Sequence, residues 1–147
     1  MPRGPHEHRA WIWVSRYVRL RDADEDGYAV CPCCKTPISY EVKYMDAGHV
    51  FPKGSPRFRA LEFDHRFIFA QNKMCNKHRM GYPEHKERME QHARRIHGDK
   101  AVDNALMLAR TGTRKVMGKI EADLLIEWCQ LQIMDLLAVK PNIERWW

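Results

Sequence analysis

The sequence lacks any long hydrophobic run. No uninterrupted apolar stretch reaches the length of about 18 residues that a membrane-spanning helix needs. The first eight residues also lack the apolar core of a secretory signal peptide. We therefore expect a cytoplasmic protein, in which the five cysteines are thiols or metal ligands and not disulfides.

The sequence also lacks a strong excess of one charge. The 25 Lys and Arg residues outnumber the 19 Asp and Glu residues only modestly, which gives a formal net charge of +6 and a pI near 9.2. This bias favours a polyanionic partner only weakly, because solvated basic surfaces are common. The hydrophobic fraction of 44% is typical of a globular protein, and the length suits one domain with a modest core.

Short strands between helices are predicted from the apolar pattern, which indicates an α+β fold. After a flexible segment at residues 1–8, we expect a first helix from Arg9 to about Arg21. Pro83 suits the first position of a later helix, and Gly98 suits its C-terminal end. The remaining predicted elements are strands at Tyr28–Val30, Ile38–Tyr44 and Phe67–Phe69, and helices starting at Cys75, at Asp99 and at about Arg114.

The long predicted C-terminal helix, from about Arg114 to Val139, is apolar over most of its girth. A helix of this kind requires covering on two sides. A second copy of the chain would cover the outer side, with Trp128 and Leu131 as central contacts, and burial within a three-helix tail is the equal alternative. We therefore divide the chain into a domain at residues 9–110 and a helical extension at residues 111–147, and we expect a homodimer.

Two cysteines separated by two residues, Cys31 and Cys34, are typical of a tight turn that holds two thiolates on one tetrahedral metal ion. A second pair is needed to complete four ligands. Cys75 and His78 are three residues apart on a predicted helical turn, so they would share a face and give a closed Cys3His zinc site. Cys33 is an alternative fourth ligand, and free thiols are the alternative to a metal site.

Asp46, His49 and Asn76 form a candidate hydrolytic constellation. One carboxylate and one carbonyl-type oxygen can bind Mg²⁺ and leave positions for a phosphate group and water. A histidine that does not bind the metal can take the proton from water. We therefore interpret Asp46 and Asn76 as ligands of a divalent ion and His49 as the general base of phosphodiester hydrolysis. The dipeptide Asp64–His65 is an alternative acid–histidine pair.

Several motifs occur in the order found in one family of nucleases. They are Tyr17–Asp24, Cys31-x-x-Cys34, Asp46-Ala47-Gly48-His49, Gln71-x-x-x-Cys75-Asn76 and Ile96-His97-Gly98. With these motifs, residues from about 11 to 106 resemble the phage NinG/Rap recombination endonucleases. The framing of an acid and a histidine by cysteines is also similar to that in phage recombination endonuclease VII. The NinG/Rap family and endonuclease VII both belong to the ββα-metal (His-Me finger, HNH-like) nucleases.

The resemblance implies a small zinc-stapled ββα-metal nuclease core with flanking N-terminal and C-terminal helices. It implies that Asp46 and Asn76 bind one catalytic Mg²⁺ or Mn²⁺, that His49 is the base and that zinc is structural. It further implies a phage or prophage protein that acts on branched DNA, such as D-loops or Holliday junctions, in recombination. We expect five basic residues to contact the DNA phosphates: Lys53, Arg57, Arg59, Lys77 and Arg79.

The chain departs from the family pattern at two positions that bear on activity. Asn72 stands where the family has a zinc cysteine, and Phe67 stands where it has the asparagine that orients the catalytic loop. These differences leave other functions open. One is a catalytically weak zinc-containing DNA-junction-binding or recombination accessory protein, and another is a general HNH nicking endonuclease. A protein-interaction zinc domain without a nucleic-acid role is a third.

Overall fold

The computed structural model describes residues 3–51, 60–111 and 116–143 of the chain. Within those ranges the protein is an α+β fold, as predicted, and it has four α-helices and two antiparallel two-stranded sheets. The helices are α1 (Pro5–Asp22), α2 (Pro83–His97), α3 (Asp99–Thr111) and α4 (Lys119–Val139), and the strands are β1 (Tyr28–Val30), β2 (Pro37–Ser39), β3 (Met45–His49) and β4 (Ile68–Asn72). A 3-10 turn at His65–Phe67 precedes β4, and a π-helical turn at Cys75–Arg79 follows it.

Helix α1 begins at Pro5, four residues before the predicted start at Arg9. Proline is favoured in the first turn of a helix because its missing N–H is not needed there. The carboxylate of Glu7 accepts a hydrogen bond from the backbone N–H of Gly4 at 3.1 Å. This contact satisfies one of the polar groups that a helix end leaves unpaired. Residues 5–8, expected to be flexible, therefore belong to the helix.

The first sheet is a hairpin of β1 and β2, which pairs Ala29 with Ile38 and encloses the turn that carries the cysteine pair. The predicted strand Ile38–Tyr44 is shorter than expected, because β2 ends one residue before Tyr40. The carbonyl of Tyr40 accepts a hydrogen bond from the buried guanidinium group of Arg19 at 3.0 Å. That carbonyl is therefore engaged outside the strand ladder, and the chain turns towards β3.

The second sheet is the hairpin of β3 and β4, with Asp46 opposite Gln71 and His49 opposite Ile68. Glycine is required at position 48 of this hairpin. A Cβ atom added to Gly48 would lie 1.9 Å from Oε1 of Gln71, a side chain that is fully buried. The missing side chain at Gly48 thus makes room for Gln71, which extends under the hairpin towards the cysteines.

Helix α4 packs along α1, and its predicted start at about Arg114 lies outside the described residues. Trp128 is partly buried and contacts Tyr17 edge-on, with ring centroids 5.0 Å apart. Just after α4, the ammonium group of Lys140 donates a hydrogen bond to the carbonyl of Leu20 at 2.7 Å. A cation is favourable there, because the carbonyls at the C-terminal end of α1 carry partial negative charge.

The outer face of α4 is exposed and apolar. Leu124 is 62% exposed and Leu131 is 53% exposed. Of the two central contacts expected for a second copy of the chain, only Leu131 lies on this face, since Trp128 packs against α1. Three further apolar residues of α4 are exposed: Ile120, Met134 and Val139. Among the described residues, no membrane-spanning helix is found.

Candidate metal centre and catalytic residues

Three cysteines from two separate parts of the chain form one cluster. The sulfur atoms of Cys31, Cys34 and Cys75 all lie within 4.8 Å of one another. Cys31 and Cys75 are buried, whereas Cys34 is partly exposed. Three thiolates at this separation can hold a soft or borderline metal ion, because one ion can bind all three sulfurs. The cluster connects the β1–β2 hairpin to the turn that follows β4.

The turn between β1 and β2 prepares Cys31 to bind a cation. The backbone N–H of Lys35 donates to the carbonyl of Cys31 at 2.9 Å, which closes the turn. A hydrogen bond with the Cys33 thiol, and then the backbone N–H groups of Cys34 and Asn72, lower the pKa of Cys31 despite its burial. The thiolate is the form of cysteine that binds metals. The surrounding N–H groups therefore favour the form of Cys31 that a metal ion requires.

The expected fourth ligand, His78, is exposed and does not belong to the cluster. The reason is the local geometry, because Cys75 and His78 lie in a π-helical turn and not in an α-helix. A π-helical turn has i→i+5 hydrogen bonds and is wider, so residues three apart no longer share a face. The two ligands predicted from α-helical spacing are therefore separated.

Cys33 and Asn72 flank the cluster in different ways. The sulfur of Cys33 is fully buried, and it accepts a hydrogen bond from Nε2 of Gln71 at 3.2 Å. Its sulfur also lies 3.6 Å from the carbonyl of His85. The Oδ1 atom of Asn72 accepts a hydrogen bond from the backbone N–H of Met74 at 2.9 Å. The described residues thus supply three close sulfurs, and the fourth position has no fixed protein ligand among them.

Asp46 and Asn76 are brought together although 30 residues separate them in the chain. The Nδ2 atom of Asn76 donates a hydrogen bond to Oδ2 of Asp46 at 3.0 Å. The ammonium group of Lys73 lies 3.5 Å from the other carboxylate oxygen. Asp46 comes from β3, and Asn76 directly follows the cluster residue Cys75 in sequence. The hairpin and the π-helical turn therefore bring a carboxylate and a carboxamide into contact, on the turn that also carries Cys75.

His49, the candidate base, occupies the last position of β3 and contacts Glu62 and Trp11. Its Nε2 atom lies 2.9 Å from the backbone carbonyl of Glu62, and its ring stacks on Trp11 with a centroid separation of 4.8 Å. Side chains alternate between the two faces of a strand, so His49 and Asp46 lie on opposite faces of β3. Three residues of a strand also separate them by about 10 Å along the chain.

Trp11 and Glu62 are parts of the His49 surroundings that the sequence pattern did not reveal. A third is Arg3, whose guanidinium group lies 4.1 Å from the centre of the Trp11 ring. The Nε atom of Arg3 also pairs with the carboxylate of Glu62 at 2.7 Å. These residues are distant in sequence and belong to no recognisable motif. Only the packing of α1 against the hairpin brings them to His49.

Phe67 is buried and belongs to the 3-10 turn, so β4 starts one residue later than predicted. Its ring lies 5.8 Å from the ring of Phe51. It is an apolar core residue at the position where the resemblance implies an asparagine. In the alternative acid–histidine pair, Asp64 forms an ion pair with Arg66 at 2.6 Å. The ring of His65 stacks on the ring of Trp128 in α4. The two members of that pair therefore have separate partners.

The expected DNA-contacting residues fall into two groups. Lys53, Arg57 and Arg59 lie outside the described residues. Lys77 and Arg79 are exposed on the same π-helical turn as Asn76. The turn that carries Asn76 thus presents two basic side chains to solvent.

Comparisons of the chain with family models, with curated proteins and with solved structures found no significant match. The function is therefore inferred from the residues and their geometry.

Proposed function

We propose that the protein is a metal-dependent DNA endonuclease of the ββα-metal type that acts on branched DNA. The observation that supports this most is the contact between Asp46 and Asn76 at 3.0 Å, made by the turn that also carries the cluster residue Cys75. A hairpin followed by a helical turn, with an acid on the first and an amide on the second, is the arrangement that the resemblance implies. D-loops and Holliday junctions are the substrates that it suggests.

The donor atoms at Asp46 and Asn76 fit a hard divalent cation. A carboxylate and a carboxamide oxygen are the ligands that Mg²⁺ and Mn²⁺ prefer, and a few protein ligands leave positions for water and phosphate. Such an ion would supply charge to stabilise the phosphate during hydrolysis. Asn76 would turn its amide oxygen towards the ion, and Lys73 would move from Asp46 to a DNA phosphate. Lys77 and Arg79 would bind the neighbouring phosphates.

His49 would accept the proton from the attacking water. The Glu62 carbonyl and the Trp11 ring fix the orientation of its imidazole, which a general base requires. The cysteine cluster would bind zinc and hold the β1–β2 hairpin against the catalytic hairpin. Structural zinc commonly contributes on the order of 10 kcal/mol to the folding of small domains.

A second candidate is a zinc-containing protein that binds DNA junctions with little or no turnover. Three observations favour it. Asp46 and His49 lie on opposite faces of β3, Lys73 neutralises the carboxylate of Asp46, and Phe67 fills the place of a polar orienting residue. In this alternative the basic π-helical turn would bind DNA without a catalytic cation.

We also propose a homodimer, because a four-way junction presents two equivalent strands about its centre. Symmetric cutting of both strands requires two sites related by a twofold axis, and closed twofold dimers are the commonest protein assemblies. The exposed apolar face of α4, centred on Leu124 and Leu131, would form the interface. Trp128 is excluded from this role by its packing against Tyr17.

A nicking assay separates the two candidates. The purified protein is incubated with linear, flapped and four-way DNA in the presence of Mg²⁺, Mn²⁺ or EDTA. An endonuclease cuts branched DNA with either ion and not with EDTA. If no concentration of Mg²⁺ or Mn²⁺ gives cutting but the protein retains the same DNA, and added salt weakens this retention, the result favours the accessory protein. Salt weakens such binding because phosphate contacts release counterions. Absence of both cutting and retention contradicts a role on DNA.

A further inference from the structure

The turn between β2 and β3 ends at a tyrosine that faces solvent. Tyr44 is 50% exposed, whereas the next residue, Met45, is fully buried. The side chains of Val42 and Met74 are also more than half exposed. The backbone N–H of Lys73 donates to the carbonyl of Tyr44 at 3.0 Å, which brings Met74 to the same end of the β3–β4 hairpin. We call Val42, Tyr44 and Met74 the hairpin-end patch. Exposed apolar side chains that gather in one place indicate a binding surface.

The hairpin-end patch lies close to the carboxylate of Asp46. Tyr44 immediately precedes β3, and Asp46 is the second residue of that strand. Side chains two residues apart along a strand point to the same face, about 7 Å from each other. The ammonium group of Lys73 connects the two places, because it donates to the carbonyl of Val42 and lies 3.5 Å from Oδ1 of Asp46. A ligand that reaches Asp46 would therefore also meet the patch.

The surface around the hairpin-end patch keeps a net positive charge. Residues 41–46 and 72–79 carry more lysine and arginine side chains than acidic ones: Lys43, Lys73, Lys77 and Arg79 against Glu41 and Asp46. Each acid pairs with one lysine, Glu41 with Lys43 at 3.1 Å and Asp46 with Lys73 at 3.5 Å. Lys77 and Arg79 are exposed, and neither has an acidic partner within the described part of the chain. Two cations in excess favour a polyanionic partner.

An exposed aromatic ring beside lysines suits the base of an unpaired nucleotide. Proteins that bind single strands stack the bases on aromatic side chains, while positive groups follow the phosphates. The ammonium group of Lys43 lies 4.9 Å from the centre of the Tyr44 ring, and its side chain is exposed, so it can reach a phosphate next to a stacked base. A base within a duplex is already stacked and paired, and its face becomes available only when it leaves the duplex. Tyr44 therefore suits an unpaired base.

We propose that Tyr44 stacks on an unpaired base of a DNA strand and that the lysines around it bind the phosphates of that strand. The inference rests on the proposed function, because the strand is the one whose phosphate reaches the Asp46–Asn76 contact. It adds a preference for DNA with unpaired nucleotides beside the cut, such as a flap or the displaced strand of a D-loop. Fully paired DNA would lack this contact.

The test measures the binding of two fluorescein-labelled single strands by anisotropy, without added divalent ions, so that cleavage does not contribute. One strand contains only thymidine nucleotides, and the other is abasic with the same length and charge. Both have about 12 nucleotides, within the usual range for such surfaces. Tyr44→Ala should weaken binding of the thymidine strand about tenfold, a typical effect of losing one aromatic–base stack. The same variant should bind the abasic strand as the parent does, because the phosphates are unchanged.

Tyr28→Ala is the matched control, since Tyr28 lies on β1 and is as exposed as Tyr44. This control should bind both strands as the parent does, and Tyr44→Trp should keep the parental preference for the thymidine strand. Tyr44→Leu keeps an apolar side chain without an aromatic ring, so it decides the question if Tyr44→Ala fails to fold. Parental affinity of a folded Tyr44→Ala or Tyr44→Leu protein for the thymidine strand overturns the inference. An equal loss on both strands also overturns it, because Tyr44 would then not contact a base.

A blunt duplex in the same assay separates this inference from the proposed nuclease. The parent and Tyr44→Ala should bind the duplex equally. If the parent binds duplex and single strands with no dependence on Tyr44, the stacking surface is contradicted and the nuclease proposal stands. Tyr44-dependent binding by a protein that cuts no DNA supports the stacking surface, although the nuclease proposal then fails. A parent that binds neither duplex nor single strands overturns both.

Discussion

The amide nitrogen of Asn76 donates a 3.0 Å hydrogen bond to the carboxylate of Asp46, joining the turn after β4 to the second residue of β3. The Asp46 side chain is 19% exposed, so the contact is only partly accessible to water. In the proposed enzyme the same two side chains would separate slightly to share a cation. The contact is therefore both a structural link and the centre of the candidate active site.

Asn76→Ala should lower the free energy of unfolding by about 1 kcal/mol, because it removes one hydrogen bond to a partly exposed carboxylate. Urea denaturation without divalent ions measures this. Asn104→Ala, a change at an exposed position on α3, is the control and should not lower the free energy of unfolding. Equal stabilities of the two variants would show that the Asp46–Asn76 contact contributes nothing to the fold.

The cysteine cluster predicts about one zinc ion per purified chain. Cys31→Ser, Cys34→Ser and Cys75→Ser should each give metal-poor, poorly soluble protein, because each removes one of three close sulfurs. His78→Ala should keep the parental zinc content, since His78 is exposed and outside the cluster. Metal analysis of the purified proteins decides both points. A metal-free parental protein would contradict the zinc site.

The fourth position of the zinc site can be tested by addition. Asn72 lies next to the cluster, and its backbone N–H contributes to lowering the pKa of Cys31. Asn72→Cys should therefore complete a four-thiolate site and slow the loss of zinc to a chelator. Cobalt substitution gives the measurement, because the intensity of sulfur-to-cobalt absorption increases with the number of thiolates. Identical spectra for the parent and Asn72→Cys would mean that position 72 does not reach the metal.

Gly48→Ala should destabilise the protein by about 1–3 kcal/mol, as overpacking of a buried site commonly does. The added Cβ would lie 1.9 Å from Oε1 of the fully buried Gln71. Gly81→Ala is the control, because nothing lies within 4 Å of the corresponding Cβ. The double variant Gly48→Ala, Gln71→Ser should recover part of the loss. A Gly48→Ala protein as stable as Gly81→Ala would contradict the close approach.

The proposed dimer predicts a specific effect of charges on α4. Leu124→Asp together with Leu131→Asp should give a folded monomer, because both side chains are more than half exposed. Trp128→Asp should instead unfold the protein, since this ring packs on Tyr17 and His65. Sedimentation and circular dichroism separate the two results. A parental protein that sediments as a monomer at micromolar concentration, with and without DNA, would contradict the proposed dimer.

The sequence predicted the α+β class and most elements, because Pro83, Gly98 and the alternation of apolar residues give local signals. It predicted the approach of Cys75 to Cys31 and Cys34, since spaced cysteines in one domain have few other uses. It did not predict the exposure of His78, because the spacing argument assumed an α-helix where the turn is π-helical. The local sequence pattern does not distinguish a π-helical turn from an α-helical one.

The surroundings of His49 were beyond prediction for another reason. Trp11 and Glu62 reach it only through tertiary packing. The placement of Asp46 and His49 on opposite faces of β3 follows from their spacing once the strand is known to include both. The sequence pattern suggested instead that the strand ended before the histidine. The limits of β3 therefore decide how the candidate site is interpreted.

The most direct test of the account is the single-turnover rate of cleavage of a four-way junction by the parent and by His49→Ala at saturating Mg²⁺. A general base is commonly worth about 10²–10⁴-fold in rate, so the variant should be slower by that factor while it binds the junction as the parent does. His8→Ala, an exposed position on α1, serves as the control. Cleavage by His49→Ala at the parental rate, or no cleavage by the parent with any divalent ion, would contradict the proposed nuclease.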